Sequence, residues 1–272
     1  MNQINIIKEI ENNYAVENIS CNDLPVWQYL RNLLYNQSIP SSPQYPLNRI
    51  KNGYFMLKNY RWGNSSKTKE YKYLLFTDFY EQKLYNNKYI DKTAQNLIEL
   101  LEDELLVAIN PSGQLHNKSS KHHINHMSTS FFHYQRWLSG LEKPADIKNK
   151  VLLDQILKKY ELELNVPYYN KLFFTYIKIF TDWLTIVRPQ AVFINCYYSL
   201  FHQALIYSCK KKRIQTIELQ HGLISKGHIQ YSPQKFIGTD TFPDYMLTHG
   251  NYIENSINTN FIDFNNIIPV VS

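Results

Sequence analysis

Apolar residues along this chain follow two periods, and the switches between them divide it into helices and short strands. Positions 4–12 carry a helical spacing. After Asp23-Leu24-Pro25, Val26, Tyr29, Leu30, Leu33 and Leu34 fall on one helix face. A third helix is predicted over 47–60, and Gly63 to Lys67 reads as a linker. Strands are predicted over 71–76 and 105–109, separated by a turn at 86–89 and a helix over 91–102. Helices over 145–162 and 168–187 follow, the second apolar nearly all round and therefore buried. Residues 191–194, Ala-Val-Phe-Ile, form the unbroken apolar run of a parallel strand covered on both faces. A helix over 200–211 leads to an alternating strand over 214–220. Strands over 245–248 and 267–271 follow, with a helix starting near Asn251 between them.

Strand–helix–strand alternation over most of the chain predicts an α/β fold with a Rossmann-like parallel sheet flanked by helices. The predicted organisation is an N-terminal helical segment, 1–66, and a Rossmann-like domain, 67–272.

Composition narrows the function classes. A hydrophobic content of 44% with only 8 glycines excludes a disordered or glycine-repeat chain. Three widely spaced cysteines, Cys21, Cys196 and Cys209, fit neither a disulfide framework nor a zinc ribbon, so a reducing cytoplasm is expected. No signal-peptide pattern opens the chain, and Lys178 and Asp182 interrupt its most apolar helix. The net charge of +6 favours anionic partners. In the predicted helix over 47–60 and just after it, Arg49, Lys51, Lys58 and Arg61 interleave with Tyr54, Phe55 and Trp62. This reads either as a surface for anionic headgroups or as a solvated helix face. Basic residues match no nucleic-acid module, so no nucleic-acid partner is expected.

The densest chemistry lies where the 214–220 strand ends, at Glu218-Leu219-Gln220-His221-Gly222. Ligands of open α/β sheets sit at such strand ends. His221 is the candidate proton-transfer or phosphate-holding group, and Gly222 would admit a close backbone approach. Glu218 and Gln220 share one face of a strand that reads as buried, where a carboxylate is costly unless paired. Further candidates are His228 and Tyr231, three residues apart, together with His249, Tyr197, and the strand-end residues Asp78 and Asn195. His122 and His126 have a metal-ligand spacing, but no third ligand completes a set, so no metal site is expected. The 116–133 segment, with five histidines, reads as a polar loop. Glycine-rich phosphate loops and the serine nucleophile elbow are absent, which argues against dehydrogenase, P-loop and serine-hydrolase activities.

The run from Arg188 through Tyr198, followed by Thr216 to Gly222, resembles the Gln-His-Gly glycosyltransferases of bacterial surface-polysaccharide assembly. That group includes capsule and O-antigen Kdo transferases and relatives of the teichoic-acid glycerophosphotransferases. His228, Tyr231, Phe242-Pro243-Asp244-Tyr245 and Gly250 fit the same pattern, and the similarity covers roughly 185–272. The resemblance implies a GT-B architecture of two Rossmann-like domains around a cleft, without a metal or cofactor. It implies a nucleotide-sugar donor, CMP-linked among the candidates, and a glycan or lipid-linked acceptor. It also implies work in the cytoplasm, or peripherally on the inner face of its membrane. The alternatives are CDP-polyol phosphate transfer and a non-catalytic glycan- or partner-binding module. Asn195 stands near a place where the pattern leads one to look for a carboxylate, which leaves the base and the stereochemical course open. The chain stops on an apolar run that reads as a buried strand, so the expectation is the acceptor-side half of a longer enzyme.

Overall fold

A computed structural model describes residues 3–37, 46–63, 66–86, 88–111, 125–225, 227–251, 253 and 256–270. The chain opens with α1 (Gln3–Asn13), a two-strand ribbon of β1 (Ser20–Cys21) and β2 (Leu24–Pro25), α2 (Trp27–Gln37) and α3 (Pro46–Asn59). Next come β3 (Tyr73–Asp78), a hairpin of β4 (Gln82–Tyr85) and β5 (Lys88–Asp91), α4 (Gln95–Leu101), β6 (Leu105–Asn110) and β7 (His126–Ser128). Helices α5 (Ser130–Ser139), α6 (Lys150–Lys159) and α7 (Val166–Val187) lead to β8 (Ala191–Ile194) and α8 (Leu200–Lys211). The chain continues through β9 (Gln215–Leu219) and β10 (Tyr245–His249) to β11 (Ile267–Val270).

Seven strands form one sheet in the order β11-β10-β9-β8-β3-β6-β7, with every neighbouring pair parallel. The fold is thus α/β and Rossmann-like. Building starts at β3, runs outward through β6 and β7, then returns to the other side of β3 with β8 and continues to β11. The direction reverses between β3 and β8, and a crevice opens at the carboxyl ends of two such strands.

Alternation along the strands sorts the core into two layers. Leu74, Phe76, Val192 and Ile194 face the thicker layer, where α1, α2, α7 and α8 bury Ile10, Trp27, Phe180 and Leu205. Leu75, Val107 and Phe193 face the thinner layer, against Leu97 and Leu101 of α4. Residues from the 1–66 segment therefore share one core with the sheet. Caps set the long helices: Asn165 accepts from the Tyr168 amide at the start of α7, and Ser199 accepts from the His202 amide at the start of α8. No helix among the described residues is long and apolar enough to cross a membrane.

The structure corrects several expectations. The 126–133 part of the histidine-rich segment falls in β7 and the start of α5, because Met127 and Phe132 supply buried anchors between the polar residues. His116, His122 and His123 lie outside the described residues. The helix predicted over 145–162 begins only at Lys150; Asn149 before it is left-handed, and the Lys148 amide donates to Ser20 O. The helix expected to start near Asn251 falls in part on residues 252, 254 and 255, which lie outside the described residues. Finally, β11 is an edge strand with Ile267 buried but Ile268 and Val270 exposed, so its apolar run is not a core strand.

Of the linker predicted over 63–67, residues 63, 66 and 67 are packed instead, while 64 and 65 lie outside the described residues. Ser66 and Lys67 are buried, the Lys67 ammonium donates to Tyr60 O, and the Trp183 indole donates to Lys67 O at 3.0 Å. Burial pushes the Lys67 ammonium down to about 8. Gly63 has φ +71°, and a Cβ there would overlap the His126 carbonyl oxygen. Gly63→Ala is expected to destabilise the chain by more than about 1 kcal/mol, read from the urea-unfolding midpoint.

Candidate active site at the carboxyl edge of the sheet

Strand β9 delivers Glu218 to the sheet's carboxyl edge with no exposed surface. Its Oε1 accepts from the Tyr231 hydroxyl at 2.8 Å and from the Tyr197 amide at 3.2 Å, while Oε2 has no partner among the described residues. Burial pushes the carboxyl up to about 8, against the opposing pull of those two hydrogen bonds. Near neutral pH it is largely protonated, a hydrogen-bonding group rather than a fixed charge.

Tyr197 and Tyr231 are buried with it. The Tyr197 hydroxyl donates to Gln230 O, and its ring packs against Tyr231, Phe242 and Phe261. Both tyrosines hold Glu218 and the 228–231 loop from beneath; neither faces solvent. The short helical turn Ile229–Tyr231 brings His228 to 5.9 Å from the Tyr231 ring, but with Tyr231 buried on Glu218 the two do not face one ligand.

Beyond the strand end the chain emerges. His221 and Gly222 are exposed, and the His221 ring lies 6.5 Å from that of Tyr198. Burial, and then the neighbouring His221, push the half-buried His228 imidazole down, which places the two histidines near each other. Gly222 has no positive φ, and a Cβ built on it meets nothing within 4 Å. Nothing inside the chain requires glycine there.

Gln220 fastens this segment to the sheet. Its amide nitrogen donates to Gly222 O and its side-chain oxygen accepts from the His249 amide, both at 2.8 Å. His249 is itself exposed at the end of β10.

Asp78 and Asn195 stand at the reversal point between β3 and β8. Asp78 accepts from Asn110 at 2.6 Å and is half-buried. Asn195 is turned inward: it donates to Thr77 at 2.9 Å, and Thr77 donates to Asp91 at 2.7 Å. Asp91 in turn accepts from the amides of Thr93 and Ala94, so this chain of bonds ties the crevice floor to α4. Cys196 joins the two groups. Burial, then Glu218 and more weakly Asp78, push its thiol up to about 12, too high for a thiolate nucleophile at neutral pH.

Three contributors were not among the site residues expected from the sequence. His202, on the first turn of α8, has its imidazole pushed down by burial and partly restored by Asp78. Tyr198 is named above. The third is the pair of Arg31 and Glu11, 2.6 Å apart and fully buried, from which Arg31 also donates to the carbonyls of Ile229 and Gln230. A charged residue on the apolar face of α2 was the available signal. Among the described residues no group of histidines, cysteines and carboxylates is placed to hold a metal ion. Comparison with protein-family models, curated proteins and solved structures finds no match.

Proposed function

We propose that the chain is a glycosyltransferase, or the acceptor-side domain of one with GT-B architecture, in the assembly of a bacterial surface glycan. The observation that carries this reading is the exposed His221 at the carboxyl end of β9, beside His228, with Asp78 at the strand-reversal point of the sheet. In this reading His221 takes the proton from an acceptor hydroxyl as its oxygen bonds to the anomeric carbon. The bond from that carbon to the donor phosphate breaks, and the nucleotide leaves with the electron pair. Glu218 acts as a positioning residue through Tyr231, because it has no surface with which to touch substrate. Gly222 supplies an open backbone N–H for an anionic oxygen.

The test is turnover of the complete enzyme with CMP-, CDP- and UDP-linked donors, which also separates sugar transfer from polyol-phosphate transfer. His221→Ala is expected to lower kcat by about a hundredfold or more without changing the fold. Gly222→Ala should leave stability unchanged, since its Cβ meets nothing, yet raise KM if a ligand approaches that backbone. Near-normal turnover in His221→Ala would sink the assignment.

A further inference from the structure

Two stretches of sequence without an acidic side chain meet on one face of the molecule. None stands between Asp23 and Glu70, nor between Glu104 and Glu142. Helices α3 and α5, which come from these stretches, pack on each other. On α3, Lys51, Tyr54, Leu57 and Lys58 are exposed, and Arg61 continues the row just past its end. Positions 51, 54, 58 and 61 follow one helical stripe.

Aromatic rings carry the face across to α5. Tyr60 stacks on Tyr134 at 4.2 Å, and Tyr134 meets Trp137 at 5.9 Å. At the open end of α5 Trp137 is 61% and Leu138 58% exposed, while Tyr54 and Leu57 on α3 are each 49% exposed. The Lys58 ammonium lies 5.6 Å over the Tyr54 ring and the Arg61 guanidinium 5.8 Å over Tyr60, so cations and rings alternate. Trp62 packs on His126 of β7 at 4.1 Å, which joins this face to the sheet.

We propose that the α3–α5 face docks flat on an anionic lipid bilayer. Lysine and arginine would meet the headgroup phosphates, and Tyr54 and Trp137 would lie at the level favoured by amphipathic rings. Leu57 and Leu138 would enter the acyl boundary. A nucleic acid would use the cations and rings but gain nothing from two exposed leucines, which favours the bilayer. The inference is independent of the transferase reading, since docking requires neither donor nor acceptor.

Sedimentation of the full chain with phosphatidylglycerol-rich vesicles and with pure phosphatidylcholine vesicles tests it. Binding is expected only to the anionic vesicles, weakening with salt. Lys58→Glu with Arg61→Glu should lower the partition coefficient by at least about twentyfold, at roughly fivefold per cation. Trp137→Ser with Leu138→Ser should also lower it, with circular dichroism unchanged because all four side chains are exposed. In the unaltered chain, brominated lipid should quench a tryptophan signal that Trp137→Phe removes. Absence of binding to anionic vesicles overturns the proposal, as does binding indifferent to all four substitutions. Binding to a single-stranded oligonucleotide that depends on Lys58 and Arg61, without vesicle binding, would assign the face to nucleic acid instead.

Discussion

Arg31→Ala is expected to destabilise the chain by about 3–5 kcal/mol, the cost of breaking a fully buried ion pair from one side. Arg31 and Glu11 have side-chain exposures of 1% and 0%, so solvent cannot replace the lost partner. Glu11 would keep two donors, the Trp27 indole at 3.1 Å and the Gln234 amide at 2.9 Å, but no cation. The carbonyl of Ile229, which now accepts from Arg31 at 2.8 Å, would lose that donor. Because these carbonyls belong to the turn that carries Tyr231, damage should spread to the site. Hydrogen exchange should rise over 228–234 before it rises in β8. Urea unfolding checks the energy, and a loss below about 1 kcal/mol would show that the pair contributes little. Replacing both partners, as in Glu11→Leu with Arg31→Met, should cost less than the sum of the single changes, since neither charge is then left alone.

That pair shows where the sequence stops being readable. The continuous apolar run at 191–194 and the helix over 200–211 coincide with β8 and α8, because local pattern and tertiary burial agree there. Glu218 was legible as a carboxylate on a buried strand, and the need for a partner followed from desolvation alone. Its partners, the Tyr231 hydroxyl and the Tyr197 amide, come from loops on either side of β9, and no local rule selects them. Glu11 and Arg31 lie twenty residues apart in sequence and meet only through helix packing. Errors arose where tertiary contacts overrode local periodicity. Residues 145–149 lead straight into the helical spacing of 150–159, yet Cys21 donates to Ala145 O and the Lys148 amide donates to Ser20 O, which keeps the segment out of the helix. Ile267 to Val270 are apolar enough for a core strand, but composition cannot tell a central position from an edge. The exposure of His221 was legible because a strand end in a parallel sheet is a place where side chains leave the core, a property of the fold more than of the motif.

Glu218→Gln is expected to change the pH dependence of stability more than any other single substitution at the site. The wild-type carboxyl titrates near 4.3 in the unfolded chain and is pushed up to about 8 in the folded one. Between those values the folded chain holds a proton that the unfolded chain has released. Raising the pH through that window therefore favours unfolding, by up to about 1.4 kcal/mol per pH unit. His133 works in the opposite sense: burial pushes its imidazole down to about 4, so stability rises with pH between about 4 and its unfolded value near 6.5. The two oppose each other below about 6.5; above it the Glu218 loss continues, opposed as the pH nears 8 by the Lys67 ammonium, which burial pushes down to about 8. Glutamine keeps the size of the side chain and an oxygen for the Tyr231 hydroxyl and the Tyr197 amide, but carries no proton to lose. His133 is common to both proteins and cancels in their difference. Relative to wild type, the Gln variant should gain little at pH 5 and several kcal/mol at pH 8, measured by urea unfolding at pH 5, 6.5 and 8. A difference that stays constant across the three pH values would mean that Glu218 is ionised in the folded chain throughout. Tyr231 would then be donating to a carboxylate rather than sharing a proton with a neutral acid.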